Sequence, residues 1–264
     1  MPYRIDLRDP KGIALLRLID LGALDVEASA GAQVLAVMPD SITPQQVASA
    51  LGIDEISVSA AAGRDADSVW LLAPRPFTVG RLRIAPADAR PELGTLRLID
   101  APAFGTGLHP TTALCIESLD EIVSVSLPDA VLDVGTGSGV LALAALTFGV
   151  PHAVGIDIDD TALRVAAENA GINGLESRIE FARGGPETIA GSWPLVLANI
   201  LAAPLIEMAP TLVRRVAHHG RLVLSGIPDG VQDEVEDAYR RLGMRRVEVK
   251  TRGGWVALVM QGTW

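Results

Sequence analysis

A glycine-rich turn that directly follows a buried strand is the feature that most constrains how this chain can fold. Strand-like, apolar residues 130–134 run into Asp133-Val-Gly-Thr-Gly-Ser-Gly139, and an apolar helical stretch follows over residues 140–148. Glycine adopts positive φ without steric penalty and lets the backbone approach a ligand where a Cβ would collide. Strand, glycine-rich turn and helix in this order are typical of the ligand-binding edge of an α/β protein.

From Asp129 onward the sequence alternates between strand-like and helical patterns. This alternation predicts an α/β fold with a doubly wound, mainly parallel seven-stranded sheet of the Rossmann-like type. The composition, 49% hydrophobic but only 4% aromatic, fits because parallel strands buried on both faces are rich in aliphatic side chains. The predicted strands are residues 130–134, 153–158, 178–182, 195–199, 221–225, 245–250 and 255–260, and the predicted helices include residues 140–148, 160–172, 203–216 and 230–242.

The first 60 residues have a different pattern, in which short strands and two helices follow the order βαββαβ. That order predicts a small α+β ferredoxin-like domain, and its limited size favours a substrate-recognition role. Residues 61–100 are punctuated by Pro and Gly and contain two predicted strands, 78–84 and 95–99, so we expect a linker there. Residues 101–264 then form the main domain, which begins with a loop over residues 103–113 and a predicted helix over residues 114–119.

Composition and charge exclude several classes of function. A formal charge of -10 argues against direct binding of nucleic acid but is compatible with a basic protein partner. The sequence contains no apolar run of the roughly 20 residues that cross a bilayer, so we expect a cytoplasmic protein with no membrane contact. One cysteine and four scattered histidines do not form a metal-ligand set, so no metal is expected.

Two carboxylates indicate which cofactor the turn binds. Asp157 ends the second strand, 22 residues after Gly135, where a carboxylate can accept hydrogen bonds from both ribose hydroxyls. Asp133, two residues before the first glycine, suits the methionine ammonium group of S-adenosylmethionine (SAM) and would repel a pyrophosphate. The pattern therefore favours a class I SAM-dependent methyltransferase, with Ile158 beside Asp157 as a further cofactor contact.

Two other classes stay open at this point. The segment Gly137-Ser-Gly139-Val-Leu-Ala142 also satisfies the dinucleotide-binding pattern, which would make the protein a dinucleotide-dependent oxidoreductase. A non-catalytic binding module on the same fold is the third possibility.

Asn199, at the end of the fourth predicted strand, is the candidate catalytic residue. Its amide carbonyl could accept a hydrogen bond from a substrate amine and direct the nitrogen lone pair toward the methyl group. An alternative function is capping of the following helix. Asp159 and Asp160 are interpreted as helix-start charges, and Asn169 as part of a solvated helix face.

The sequence resembles the PrmA family of methyltransferases, which modify ribosomal large-subunit protein L11. The resemblance covers roughly residues 100–262. It depends on four segments: Ala103-Phe-Gly-Thr-Gly-Leu-His-Pro-Thr-Thr-Ala-Leu114, Val131-Leu-Asp-Val-Gly-Thr-Gly-Ser-Gly-Val-Leu-Ala142, Gly155-Ile-Asp-Ile-Asp159 and Ala198-Asn-Ile-Leu-Ala202.

The resemblance implies methyl transfer to lysine side-chain and α-amino nitrogens of a ribosomal protein, which a separate N-terminal domain holds. It also implies SAM contacts from Thr111 or Thr112, from the glycines Gly135, Gly137 and Gly139, from Asp157 and from Asn199. Within the first segment, Phe104 covers the cofactor or pins the loop, and His109 is a loop anchor or a general base. A related lysine methyltransferase of the electron-transfer flavoprotein β subunit is the alternative within this class.

Overall fold

The computed structural model describes residues 1–9, 13–29, 32–53, 56–64, 69–70, 73–101, 105 and 107–264. The chain forms two compact units, Met1–Pro74 and Arg75–Trp264. Residues 75–100, which the sequence pattern assigns to a linker, therefore belong to the second unit.

The described part of the first unit contains a four-stranded antiparallel sheet with the strand order β2-β3-β1-β4. This is the ferredoxin-like arrangement that the βαββαβ order predicts. One face carries an aliphatic core that includes Ile5, Leu18 and Val47. The elements are β1 (Tyr3–Arg8), α1 (Ala14–Asp20), β2 (Asp25–Ser29), β3 (Gln33–Met38), α2 (Pro44–Leu51) and β4 (Ser57–Ala60), followed by the short paired strands β5 (Gly63–Arg64) and β6 (Val69–Trp70).

Helix α2 shows how local sequence determines an element of this unit. The Thr43 hydroxyl accepts a hydrogen bond from the Gln46 backbone N–H, and the Gln46 side chain accepts one from the Thr43 N–H. Pro44 occupies the first turn, where its missing N–H is not needed, and Gly52 ends the helix with φ +68°. The capping box and the glycine therefore define both ends.

A small three-stranded sheet begins the second unit, formed by β7 (Phe77–Val79), β8 (Leu82–Pro86) and β9 (Thr95–Leu98). The single strand predicted over residues 78–84 is wrong, because Gly80, at φ +56°, turns the chain into a β7–β8 hairpin. Val79, Leu82 and Leu96 are buried in the same core as the large sheet. The apolar side chains of these strands thus make them part of the second unit.

The seven-stranded sheet lies entirely within residues 130–262, all of which are described, and has the order β12-β11-β10-β13-β14-β16-β15. Neighbouring strands from β12 to β14 run parallel, whereas β16 is antiparallel to both of its neighbours. The predicted doubly wound, mainly parallel sheet is confirmed. The strands are β10 (Ala130–Val134), β11 (His152–Asp157), β12 (Ile179–Arg183), β13 (Trp193–Asn199), β14 (Val216–Pro228), β15 (Met244–Arg252) and β16 (Trp255–Gly262).

Successive residues of each central strand enter opposite cores, because side chains alternate across a strand. Val131 packs in one core and Leu132 in the other, and the same alternation continues in β13 and β14. Burial on both faces explains the nearly continuous aliphatic runs in these strands. The covering helices are α3 (Pro110–Val125), α4 (Val140–Thr147), α5 (Asp160–Ile172), α6 (Ala202–Glu207), α7 (Ala209–Arg214) and α8 (Gln232–Arg240).

Two helices differ from their sequence-based bounds for identifiable reasons. Helix α3 begins at Pro110, well before the predicted start at Leu114, because His109 caps it and proline suits the first turn. The predicted helix over residues 203–216 is divided at Met208, and Pro210 lies in the first turn of α7. Within the described residues, no helix combines the length and apolarity required to cross a membrane.

Candidate active site

The tips of three adjacent strands bring the predicted cofactor and catalytic residues together. Val134 of β10 pairs with Ile156 of β11 on one side and with Ala198 of β13 on the other. Asp157 and Asn199 each follow one residue later, so they flank the glycine-rich turn at the carboxyl edge of the sheet. Ligands of open α/β sheets bind at this edge.

The glycine-rich turn is held against β11 by its own backbone. The N–H groups of Gly135 and Thr136 both donate to the Ile156 carbonyl, at 2.9 and 3.0 Å. Gly135, Gly137 and Gly139 have φ of +72°, +56° and +82°, which side chains disfavour. A Cβ at Gly139 would also lie 3.0 Å from the Ala166 Cβ. These residues must therefore be glycine for the turn to keep its shape.

Asp133 is fully buried beneath this turn. Its Oδ2 accepts hydrogen bonds from the Thr136 hydroxyl at 2.7 Å and from the Ala142 N–H at 3.3 Å. Its Oδ1 is buried and has no partner within the described part of the chain. Burial raises the pKa of Asp133 to about 6, and the hydrogen bond from Thr136 opposes that rise. One carboxylate oxygen thus stabilises the turn and the other remains unsatisfied.

Asp157 is oriented by two backbone amides. Its Oδ2 accepts from the Gly137 N–H at 2.9 Å and its Oδ1 from the Asp159 N–H at 3.0 Å. A carboxylate oxygen can accept more than one hydrogen bond, so both oxygens keep acceptor capacity. The neighbouring Ile158 is 75% exposed, which is unusual for a large apolar side chain beside a buried strand.

Asn199, only 9% exposed, ends β13 with one half of its amide satisfied. The Nδ2 group donates to the Thr112 hydroxyl at 3.3 Å. The Oδ1 atom is buried and lacks a partner among the described residues. Helix α6 begins after Leu201, without a side-chain cap, so the alternative in which Asn199 caps that helix is wrong. The amide carbonyl is thus left as an acceptor.

The segment before α3 is tied to both the turn and the small sheet. The Ser138 hydroxyl donates to the Gly105 carbonyl at 2.5 Å, and a Cβ at Gly107 would lie 2.5 Å from the Ile84 Cδ1. His109 is buried, and its Nδ1 accepts from the Thr111 N–H at 3.3 Å and lies 2.7 Å from the Thr111 hydroxyl. The His109 ring also meets Trp255 edge-on, at 5.1 Å between centroids. Phe104 lies outside the described residues.

The sequence pattern missed one residue that supports the turn. Asn169 is fully buried, so its assignment to a solvated face is wrong. Its Oδ1 accepts from the Ile99 N–H at 2.8 Å, and its Nδ2 donates to the Ser138 carbonyl at 2.9 Å. The side-chain amide therefore joins the turn to the chain just after β9. Asp159 caps α5 through the Thr161 N–H, as its interpretation as a helix-start residue predicts.

The remaining histidines take no part in the site. His152, His218 and His219 are exposed, and no group of three or more potential metal ligands occurs within the ranges that the structure describes.

The strand order, with an antiparallel β16 between β14 and β15, and the glycine-rich turn flanked by acidic strand ends define a class I methyltransferase fold. Comparison with known proteins gives the family. The sequence profile of the ribosomal protein L11 methyltransferase (PrmA) family matches residues 46–263, and the chain belongs to this family of methyltransferases.

Individual relatives agree with this assignment. The chain is 44% identical over 209 residues to the ribosomal protein L11 methyltransferase of Chromohalobacter salexigens, covering 77% of this chain and 69% of the relative. The Pelobacter propionicus protein of the same name is 39% identical over 217 residues, which cover 79% of this chain and 70% of that relative. The crystal structure of ribosomal protein L11 methylase from Lactobacillus delbrueckii subsp. bulgaricus matches with a TM-score of 0.64 and 30% identity, covering 70% of this chain and 97% of that one.

The alternatives that the sequence left open, a dinucleotide-dependent oxidoreductase and a lysine methyltransferase of the electron-transfer flavoprotein β subunit, are not supported by this family match.

Proposed function

We propose that this methyltransferase uses SAM to methylate lysine side-chain or α-amino nitrogens of ribosomal protein L11. The observation that carries the proposal is the Asn199 Oδ1 atom, a buried acceptor beside the cofactor turn that has no partner among the residues the structure describes. A buried carbonyl without a hydrogen bond is destabilising, so such an atom at a strand tip indicates a ligand that donates to it.

The residues around the turn fit SAM in three respects. Asp157 has the remaining acceptor capacity to bind two ribose hydroxyls, and the exposed Ile158 offers an apolar face for the adenine ring. The glycines leave room for close backbone approach. The buried charge of Asp133 favours a nearby ammonium group, although one of its oxygens already stabilises the turn. Thr111, Thr112 and Phe104 complete the proposed set.

SAM, when bound, supplies an electrophilic methyl group attached to a sulfonium sulfur, and the sulfur keeps the electron pair of the carbon–sulfur bond after transfer. The Asn199 Oδ1 atom accepts a hydrogen bond from one N–H of the substrate amine. This hydrogen bond directs the nitrogen lone pair along the line of displacement. The amine must be neutral to attack, while free lysine has a pKa of about 10.4 and is mostly protonated. His109 uses its Nδ1 to cap α3, which supports an anchoring function for this residue rather than that of a base.

The first unit is proposed to dock the protein substrate. Residues 1–74 carry ten acidic and five basic side chains. Proteins that bind ribosomal RNA are rich in Lys and Arg, so an acidic unit attracts such a partner. Removal of Met1–Pro74 should abolish methylation of the intact partner while SAM binding, measured by calorimetry, survives. Normal methylation by the shortened enzyme would contradict docking by this unit.

The direct test incubates the enzyme with labelled SAM and purified ribosomal protein L11, and locates the label by mass spectrometry. Label on lysine or N-terminal nitrogens is expected, and an Asn199→Ala enzyme provides the matched control. The same assay on a bacterial lysate identifies competing substrates. Absence of SAM binding by calorimetry, or label confined to another protein, would overturn the proposal.

A further inference from the structure

Ile200, the residue after the proposed catalytic asparagine, is held on several sides. Its backbone N–H donates to the Ser225 carbonyl of β14 at 3.1 Å. Its side chain packs, partly buried, against the core beneath β13 and β14. The direction of the Asn199 side chain depends on this short segment, because Asn199 ends its strand here.

Two glycines approach Ile200, one from the cofactor turn and one from β14. A Cβ at Gly135, in the cofactor turn, would lie 2.4 Å from the Ile200 Cγ2, and the next nearest atom would be 3.9 Å away. A Cβ at Gly226, in β14, would lie 2.1 Å from the Ile200 carbonyl oxygen and 2.6 Å from its carbonyl carbon. Atoms this close to a Cβ must shift, so a side chain at Gly135 would displace the Ile200 side chain, and one at Gly226 would displace the Ile200 backbone.

The position of Gly226 in β14 explains this close approach. The pairing of β14 with β16 shifts register between Leu224 and Ile227, and Gly226 has φ +82°. Such an irregularity bends a strand locally and is frequent beside active sites. The bend brings the Gly226 backbone against the carbonyl group of Ile200, the residue that follows Asn199.

We infer that Ile200 is a positioning residue, clamped between Gly135 and Gly226, and that this clamp sets the Asn199 carbonyl relative to the cofactor turn. The inference rests on the proposed function and assigns Gly226 a part in turnover although it lies outside the proposed cofactor set. A displacement of about 1 Å at a reacting group can lower a rate by about 100-fold. The clamp prevents that displacement.

The first test is Gly226→Ala. The new methyl must push the Ile200 peptide by about 1 Å, so we expect kcat to fall by about 100-fold while the Kd for SAM changes by less than about threefold. Gly191→Ala is the matched control, because Gly191 has φ +86° but nothing within 4 Å of a Cβ. It reports backbone strain alone and should leave kcat within about threefold. Unchanged kcat in folded Gly226→Ala would overturn the inference.

The second test separates the two sides of the clamp. Gly135→Ala collides with a single side-chain methyl and also strains the backbone at φ +72°. Adding Ile200→Ala removes the collision but not the strain, so it should recover about tenfold of the lost SAM affinity without reaching the wild-type value. Gly226→Ala collides with backbone, so Ile200→Ala should not restore its kcat. Additive effects in the first pair, or rescue in the second, would contradict the clamp.

Failure of a variant to fold and failure of the proposed function can both be distinguished from failure of the clamp. Thermal unfolding followed by circular dichroism shows whether each variant folds. If Gly226→Ala does not fold, Ile200→Ala alone decides: we expect about a tenfold loss of kcat with SAM affinity retained, and unchanged kcat would refute the clamp. If the unaltered enzyme binds no SAM, the proposed function fails, and this inference fails with it for a different and recognisable reason.

Discussion

The two sides of the active site differ in how completely their polar atoms are satisfied. On the β11 side, both oxygens of Asp157 accept backbone N–H bonds. On the β13 side, Asn199 has a bonded Nδ2 and a buried Oδ1 without a partner in the described structure. Asp157 is therefore oriented by the protein itself, whereas under the proposed function a substrate amine satisfies the Asn199 carbonyl. Variants on the two sides should separate binding from turnover.

The largest effect is expected from Asn199→Ala. This variant lacks the carbonyl that is proposed to orient the amine during transfer, and removal of one such preorganised contact lowers kcat by roughly 100- to 1000-fold. The Kd for SAM should change by less than about fivefold, because Asp157 and the turn are untouched. Calorimetry and a methyl-transfer assay measure the two quantities. Equal losses in both would remove the distinction between the two sides.

Asp133→Asn tests the buried charge beneath the cofactor turn. The pKa of Asp133 in the folded protein, about 6, lies above the ordinary value of 3.8. Between these values the folded state binds a proton that the unfolded chain has released, so the contribution of Asp133 to stability falls as pH rises through this window. Asparagine does not titrate. The free energy of unfolding of the variant, relative to wild type, should rise by about 2 kcal/mol between pH 4 and pH 7.

Urea denaturation at several pH values measures this difference, with Asp160→Asn at an exposed ion pair as the control. A flat difference between pH 4 and pH 7 would mean that Asp133 does not titrate in this window. The same variant should weaken SAM binding at pH 7, because the ionised carboxylate favours a nearby ammonium group.

Asp157→Ala should weaken SAM binding and affect kcat at saturating SAM much less. The variant would lose the two proposed charge-assisted hydrogen bonds from ribose hydroxyls, which should lower the affinity for SAM by about 100-fold, and the Gly137 N–H also loses its acceptor. Asp160→Ala, three residues along and paired only with Arg183 at the surface among the described contacts, should change affinity by less than about twofold. Similar losses in both variants would argue against a specific contact.

The two sides of the site were also unequally predictable from sequence. Asp133, Asp157 and Asn199 follow apolar strands, and parallel strands end at one edge, so their meeting follows from the pattern. The β7–β8 hairpin and the start of α3 were missed although Gly80, His109 and Pro110 carried the signal. Asn169 carried none, because its partner Ile99 lies 70 residues away in the chain. Periodicity marks polar positions on a helix but does not reveal which of them bonds to distant backbone.

Asn169 also supplies the smallest and most structural of these predictions, on the cofactor side. Its amide satisfies the Ile99 N–H and the Ser138 carbonyl, so Asn169→Ala leaves both without that partner and should lower the free energy of unfolding by about 2 kcal/mol. Asn169→Asp keeps the acceptor for Ile99 but loses the donor for Ser138.

If the contact to Ser138 helps hold the turn, both Asn169 variants should weaken SAM binding by a few-fold, while kcat at saturating SAM stays near wild type. Urea denaturation and calorimetry measure the two effects. A loss confined to kcat would place Asn169 with the acceptor side and break the division between binding and turnover.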